Sequence, residues 1–161
     1  MMQTMVWSDL LELGHDRIDA EHRQLLDLAC EIVAIGDQGG EVGTLRPYYQ
    51  EFHRLLLVHC AYEEGLLRSL PRSAFGAQVD AHCQGHSRLI ALAKSVAAGA
   101  LPDGYDSPQG FITAYVHLMH DLLVDDAELI GALIREGRFT PTHPAHRAHP
   151  VPPAAGRLPP I

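Results

Sequence analysis

Proline and glycine divide this chain into four long stretches in which apolar residues recur every three or four positions. That spacing predicts a helix over 17–35, with Ile18, Leu25, Ala29 and Ile32 on one face and Gly36 just past the end. A second helix is expected over 46–69, with Pro47 in its first turn, Pro71 ending it, and Phe52, Leu55, Leu56, Leu66 and Leu67 in its apolar row. A third runs over 75–98 and stops at Gly99 and Pro102. A fourth runs over 108–136, with Ser107 as N-cap, Pro108 in the first turn and Gly137 after the last. No alternating stretch bounded by hairpin turns occurs, so the expected class is all-α, an up-down-up-down four-helix bundle. Residues 1–16 read as an extended arm, with Trp7 packed against the bundle.

Composition changes near residue 138. Residues 139–161 hold 7 of the 11 Pro and no acid, which predicts a disordered, Pro-rich tail after a folded unit over 1–138. His143, His146 and His149 have a spacing that holds a metal loosely, against the plainer reading of a solvated tail. The chain has a formal charge of −8 and a single Lys, which argues against a nucleic-acid binder. No apolar run is long enough to span a membrane, and residues 1–16 carry no signal-peptide pattern. Cys30, Cys60 and Cys83 form no close pair, so a reducing cytoplasm is expected, with the three thiols as small helix filler.

The unusual count is 11 His. His22 lies four residues after Ile18 and three before Leu25, on the inward face of the first helix. On the second, Phe52, His59, Glu63 and Leu66 follow steps of seven, four and three, so His59 and Glu63 stack one turn apart. His82 and His86 repeat the one-turn spacing on the third, in line with Val79, Leu89 and Ile90. The fourth carries His117, His120, Asp121, Asp125 and Asp126 near its middle. A lone inward His is ordinarily structural, but several of them with carboxylates in one core would leave many polar groups unsatisfied without a bound ion. Imidazole and carboxylate without thiolate favour iron, manganese or zinc, and more than four ligands suggest two ions.

Four segments together resemble bacterial hemerythrin, over about residues 5–135. Trp7, Gly14 and Ile18-Asp19-Ala20-Glu21-His22-Arg23-Gln24-Leu25 are similar to the family's W…G…I-D-x-x-H-x-x-L. His59-Cys60-Ala61-Tyr62-Glu63-Glu64 is similar to H-F-x-x-E-E, His82 to Leu89 to H-x-x-x-H-x-x-L, and His120 with Asp125 to H-x-x-x-x-D. The resemblance implies a non-haem di-iron centre held by His22, His59, Glu63, His82, His86, His120 and Asp125. Glu63 and Asp125 would bridge two iron ions together with an oxo or hydroxo group. His82, His86 and His120 would complete one iron. His22 and His59 would leave the other with an open position for O2.

The chain departs from the pattern at Cys60, Leu67, Val116, His117 and Asp121. In the fourth helix this opens a second register. His117 and Asp121 lie one turn apart on one face, whereas the family spacing favours His120 and Asp125. His15 and His53 fall outside the motifs and read as surface residues. The expected function is reversible O2 binding for carriage, storage or sensing, without enzymatic turnover; a sensing role would need a separate protein partner. The alternatives are a di-iron oxidase or peroxidase and an iron-supply protein for cluster repair.

Overall fold

The computed structural model describes residues 7–39, 42–100 and 107–142; in the last of these segments the side chains at 109, 111, 114 and 116–125 lie outside the description, as do those of Leu10 and Val42. Four α-helices follow a short 3-10 turn at Asp9–Leu11, and no strand occurs among the described residues. They are α1 (Asp16–Asp37), α2 (Val42–Leu67), α3 (Arg72–Ala97) and α4 (Pro108–Arg135). α2 packs on both α1 and α3, and α4 docks chiefly on α1. None of these helices is long and apolar enough to cross a membrane.

The helix ends show how local chemistry sets the boundaries. Ser107 caps α4 as its spacing predicts: its Oγ accepts from Gly110 N at 3.0 Å, and Pro108 follows in the first turn. Gly137 takes a positive φ of 65° past the end, which a side chain would strain. α1 outruns the expected stop at Gly36. It reaches Asp37, and the left-handed residue is Gly39 at φ 80°. α2 begins at Val42, so Pro47 lies inside the helix, where it has no N–H to give the carbonyl one turn back. α3 starts directly after Pro71, three residues ahead of the expected 75.

Two apolar clusters fill the interior. One gathers Leu25, Leu26, Ile32, Phe52, Leu56, Cys60, Val96, Ile112 and Tyr115, with Trp7 packed against it as the arm reading expects. The other gathers Leu13, Ile18, Leu67, Leu70, Val79, Leu129, Ile130 and Leu133. Along each helix the change from one cluster to the other falls at a polar residue: His22 between Ile18 and Leu25, His59 and Glu63 between Leu56 and Leu67, His86 between Val79 and Val96, and Asp126 between Tyr115 and Leu129. The fold therefore holds a polar layer between two apolar layers.

The start of α1 is anchored by Asp19. Its carboxylate accepts from the backbone N–H groups of Leu13, Gly14 and His15 at 2.7, 3.1 and 2.9 Å. His15, expected at the surface, is buried. Its Nδ1 accepts from Ile18 N at 3.5 Å, and its ring stacks on Phe139 at 4.5 Å. His53, also expected at the surface, is half-buried with Nε2 enclosed. The chain stays packed past the expected boundary at 138. Thr142 N donates to Gly14 O at 3.1 Å, and its hydroxyl donates to Asp16 Oδ1 at 2.6 Å. Phe139 joins the second apolar cluster. Residues 143–161, the rest of the expected tail with His143, His146 and His149, lie outside the described residues.

These contacts yield a prediction. A chain ending at Arg138 should be less stable than one ending at Thr142 by about 1–3 kcal/mol, from one aromatic stack and two hydrogen bonds. Thermal unfolding of the two truncations checks it; equal midpoints would show that the 139–142 contacts contribute nothing.

Candidate metal centre

Each ligand candidate is held by the helix phase that the apolar residues set. His22 (α1), His59 and Glu63 (α2) and His86 (α3) all stand on the buried face of their helix, and Glu63 is fully buried. The His82 side chain, one turn before His86, is 9% exposed and joins the same group. The structure thus brings together five of the seven residues that the resemblance implies. The side chains of His120 and Asp125 lie outside the described residues, as do those of His117 and Asp121.

The geometry is that of two histidine pairs facing two carboxylates. His22 Nε2 and His59 Nε2 stand 3.1 Å apart at one end. The rings of His82 and His86 stand 4.3 Å apart, centre to centre, at the other. Glu63 Oε2 lies 3.3 Å from His82 Nε2, 3.3 Å from His86 Nε2 and 3.7 Å from His59 Nε2. Asp126 spans the two ends, with Oδ2 3.2 Å from His22 Nε2 and Oδ1 3.5 Å from His82 Nε2. Ligand atoms of Glu63, His82, His86 and Asp126 all fall within 4.8 Å of one another, a spacing that suits a shared metal ion.

Asp126 was the ligand candidate that sequence reasoning passed over for its neighbour. A signal for it exists. Ile112, Tyr115, Leu129, Ile130 and Leu133 are all buried on α4, and Asp126 lies three residues before Leu129 and four before Ile130. The apolar phase of α4 therefore selects Asp126, while the family spacing from His120 selects Asp125.

Outer carboxylates settle which ring nitrogen faces the cluster. His59 Nδ1 lies 3.2 Å from Glu21 Oε2, and His86 Nδ1 lies 3.3 Å from Glu64 Oε1. A carboxylate at Nδ1 orients an imidazole with Nε2 inward. In both rings Nε2 then faces the cluster, with Glu63 or another imidazole opposite. Burial disfavours the charge on Glu63, but its hydrogen bonds to His82 and His86 and the field of the imidazoles outweigh this and hold its carboxyl well below the usual range. Burial likewise works against charge on His86, yet Glu63, Asp126 and Glu64 outweigh it and raise its pKa. The layer thus attracts positive charge at its centre.

One buried atom fits a bound ion. Glu63 Oε1 is enclosed without a hydrogen-bond partner among the described residues. An unsatisfied buried polar atom costs about 1–3 kcal/mol, more when charged, so an orphaned carboxylate oxygen at the centre of a ligand cluster fits coordination. Beside His22 and His59 lies a cavity of about 30 Å³, walled by Leu56, Cys60, Leu89 and Tyr115 as well as His86 and Asp126. That volume takes a small molecule of water or diatomic size. The Cys60 thiol lines this wall, as its place beside His59 on α2 leads one to expect. Burial pushes the ionisation of Cys60 and Tyr115 well up, so both keep their protons.

Glu64→Gln and Glu21→Gln should each weaken metal binding about 10–100-fold, because each amide loses the charge that holds a ligand imidazole in place. Competition with a chelator of known affinity reads the effect; unchanged affinity in both variants would show that these carboxylates do not support the centre.

No family model, curated protein or solved structure matches this chain. Its donor set and their geometry carry the functional reading by themselves.

Proposed function

We propose that this chain is a hemerythrin-like, non-haem di-iron protein that binds O2 reversibly. The observation that carries this reading is the division of four imidazoles into two pairs, His22 with His59 and His82 with His86, on either side of Glu63 and Asp126. One ion needs no such division; two ions sharing two carboxylates do. Glu63 and Asp126 would bridge, His82 and His86 would hold one ion, and His22 and His59 the other. By the resemblance, His120 would supply a further imidazole from α4 and Asp125 would be the bridge; the described carboxylate at the centre is that of Asp126. An up-down-up-down arrangement suits this site, since every helix then adds a ligand to one layer.

Two ferrous ions held by these residues would supply the two electrons that reversible O2 binding requires. The chain's own residues do the rest. Leu56 and Leu89 give the cavity beside His22 and His59 part of its apolar wall. Glu21 and Glu64 hold ligand rings in one orientation. Because they bind outer nitrogens, only Glu63 and Asp126 among the described carboxylates face the centre. The ferritin-like di-iron pattern is richer in carboxylates, with paired Glu-x-x-His motifs. A His-rich set leaves the metal less electron-rich, which suits reversible binding over O–O cleavage. The free thiols of Cys30, Cys60 and Cys83 support a cytoplasmic location.

An optical spectrum tests the proposal. The reduced protein, exposed to air, should gain a visible ligand-to-metal band that disappears on removal of O2, through repeated cycles. Irreversible loss of the band with net O2 consumption would replace the carrier reading by the oxidase one.

A further inference from the structure

Arg17 and Glu21 lie one turn apart on α1, and His59 and Tyr62 lie three residues apart on α2. Together they form a clasp between the two helices. Glu21 divides its oxygens: Oε2 faces His59 Nδ1 at 3.2 Å, and Oε1 accepts from Arg17 Nε at 2.8 Å. Held only at Oε2, the carboxylate would still turn about its terminal torsion, and the His59 ring would turn with it. The Arg17 bond removes that freedom, provided Arg17 itself stays in place. Its side chain is 50% exposed, and an exposed ion pair does little to hold a long, flexible arginine. What holds it is Tyr62. The guanidinium carbon stands 3.7 Å from the centre of that ring, a cation–π contact between α1 and α2.

Tyr62 is fixed in turn from the α1 start. His15 accepts at Nδ1 from Ile18 N, so the neutral ring carries its proton on Nε2 and donates it to the Tyr62 hydroxyl at 3.3 Å. The two rings meet edge-on at 80°. The matching pair at the other end of the layer, Glu64 with Arg68, has no such seat. The Arg68 side chain is 66% exposed, and no aromatic ring lies under its guanidinium among the described residues.

We propose that Tyr62 is a positioning residue for the His22 and His59 end of the centre: its ring seats Arg17, Arg17 fixes Glu21, and Glu21 fixes the His59 imidazole. The inference rests on the di-iron reading and deepens it, because it ties the hold on one ion to an aromatic side chain that is not itself a ligand.

Competition between the full chain and a chelator for ferrous iron tests it. Tyr62→Leu removes the ring, and Arg17→Gln removes the charge above it. Each should weaken iron binding about fivefold, the worth of one partly exposed cation–π contact. Tyr62→Phe keeps the ring face and should stay within about twofold of the wild type. In a Glu21→Gln background neither Tyr62→Leu nor Arg17→Gln should cost anything further, because the link to His59 is already cut. A tyrosine that only packs against its neighbours would cost the same in both backgrounds. Arg17 is at the surface, so its variant decides the matter even if Tyr62→Leu folds poorly. Wild-type affinity in Tyr62→Leu or Arg17→Gln, a Tyr62→Phe as weak as Tyr62→Leu, or losses undiminished in the Glu21→Gln background overturn the assignment and leave the di-iron reading standing. A wild-type chain that takes up no iron overturns both.

Discussion

A fully buried carboxylate surrounded by imidazoles is the constraint on which this structure turns. Glu63 has no exposure, and its Oε2 lies within 3.7 Å of nitrogens from His59, His82 and His86. An isolated carboxylate so placed would cost several kcal/mol even after relaxation of its surroundings. The chain accepts that group by setting imidazoles from α2 and α3 against it and by placing Asp126 of α4 beside His82, with His22 of α1 on its far side. Every helix is thus tied to the same layer. Its position between two apolar clusters sets these charges in a low-dielectric interior, so the buried cluster could hold a metal ion.

Outer contacts hold the ligand rings of that cluster in place. Glu21 is drawn towards the layer by His59 and outwards by Arg17, whose guanidinium lies 2.8 Å away. Burial works against its charge, but these two partners outweigh it and hold its carboxyl below the ordinary range. Glu64 plays the matching part between His86 and Arg68. Each thereby links a ligand ring to a surface cation. Asp19, three residues before His22, fixes where α1 begins by holding three backbone N–H groups, and so fixes the height at which His22 enters the layer. Thr142 and Phe139 brace the same corner from the far end of the chain.

Much of this was legible in the sequence because the ligand candidates sit in phase with apolar residues. His22 belongs to the row of Ile18 and Leu25, and Glu63 to the row of Phe52 and Leu56, so the period that predicts each helix also predicts which polar residues turn inward. Positions whose roles depend on distant segments were not legible. His15 looks like a surface residue until Phe139 and Tyr62 close over it. Phe139 and Thr142 were grouped with the proline-rich stretch because composition averages over many residues, while contacts belong to single ones. Asp126 was hidden by Asp125, whose spacing from His120 fits the resemblance. The start of α2 was misjudged because Pro47 suits a first turn but is also tolerated further in.

Everything proposed for the layer rests on the cation it could hold. Iron content per folded chain, measured by elemental analysis after purification from iron-replete cells and paired with X-ray absorption at the iron edge, tests it most directly. Two irons per chain with nitrogen and oxygen neighbours, and a short iron–iron vector, are the predicted result. A fully folded chain that carries no metal, or a single zinc, would contradict it.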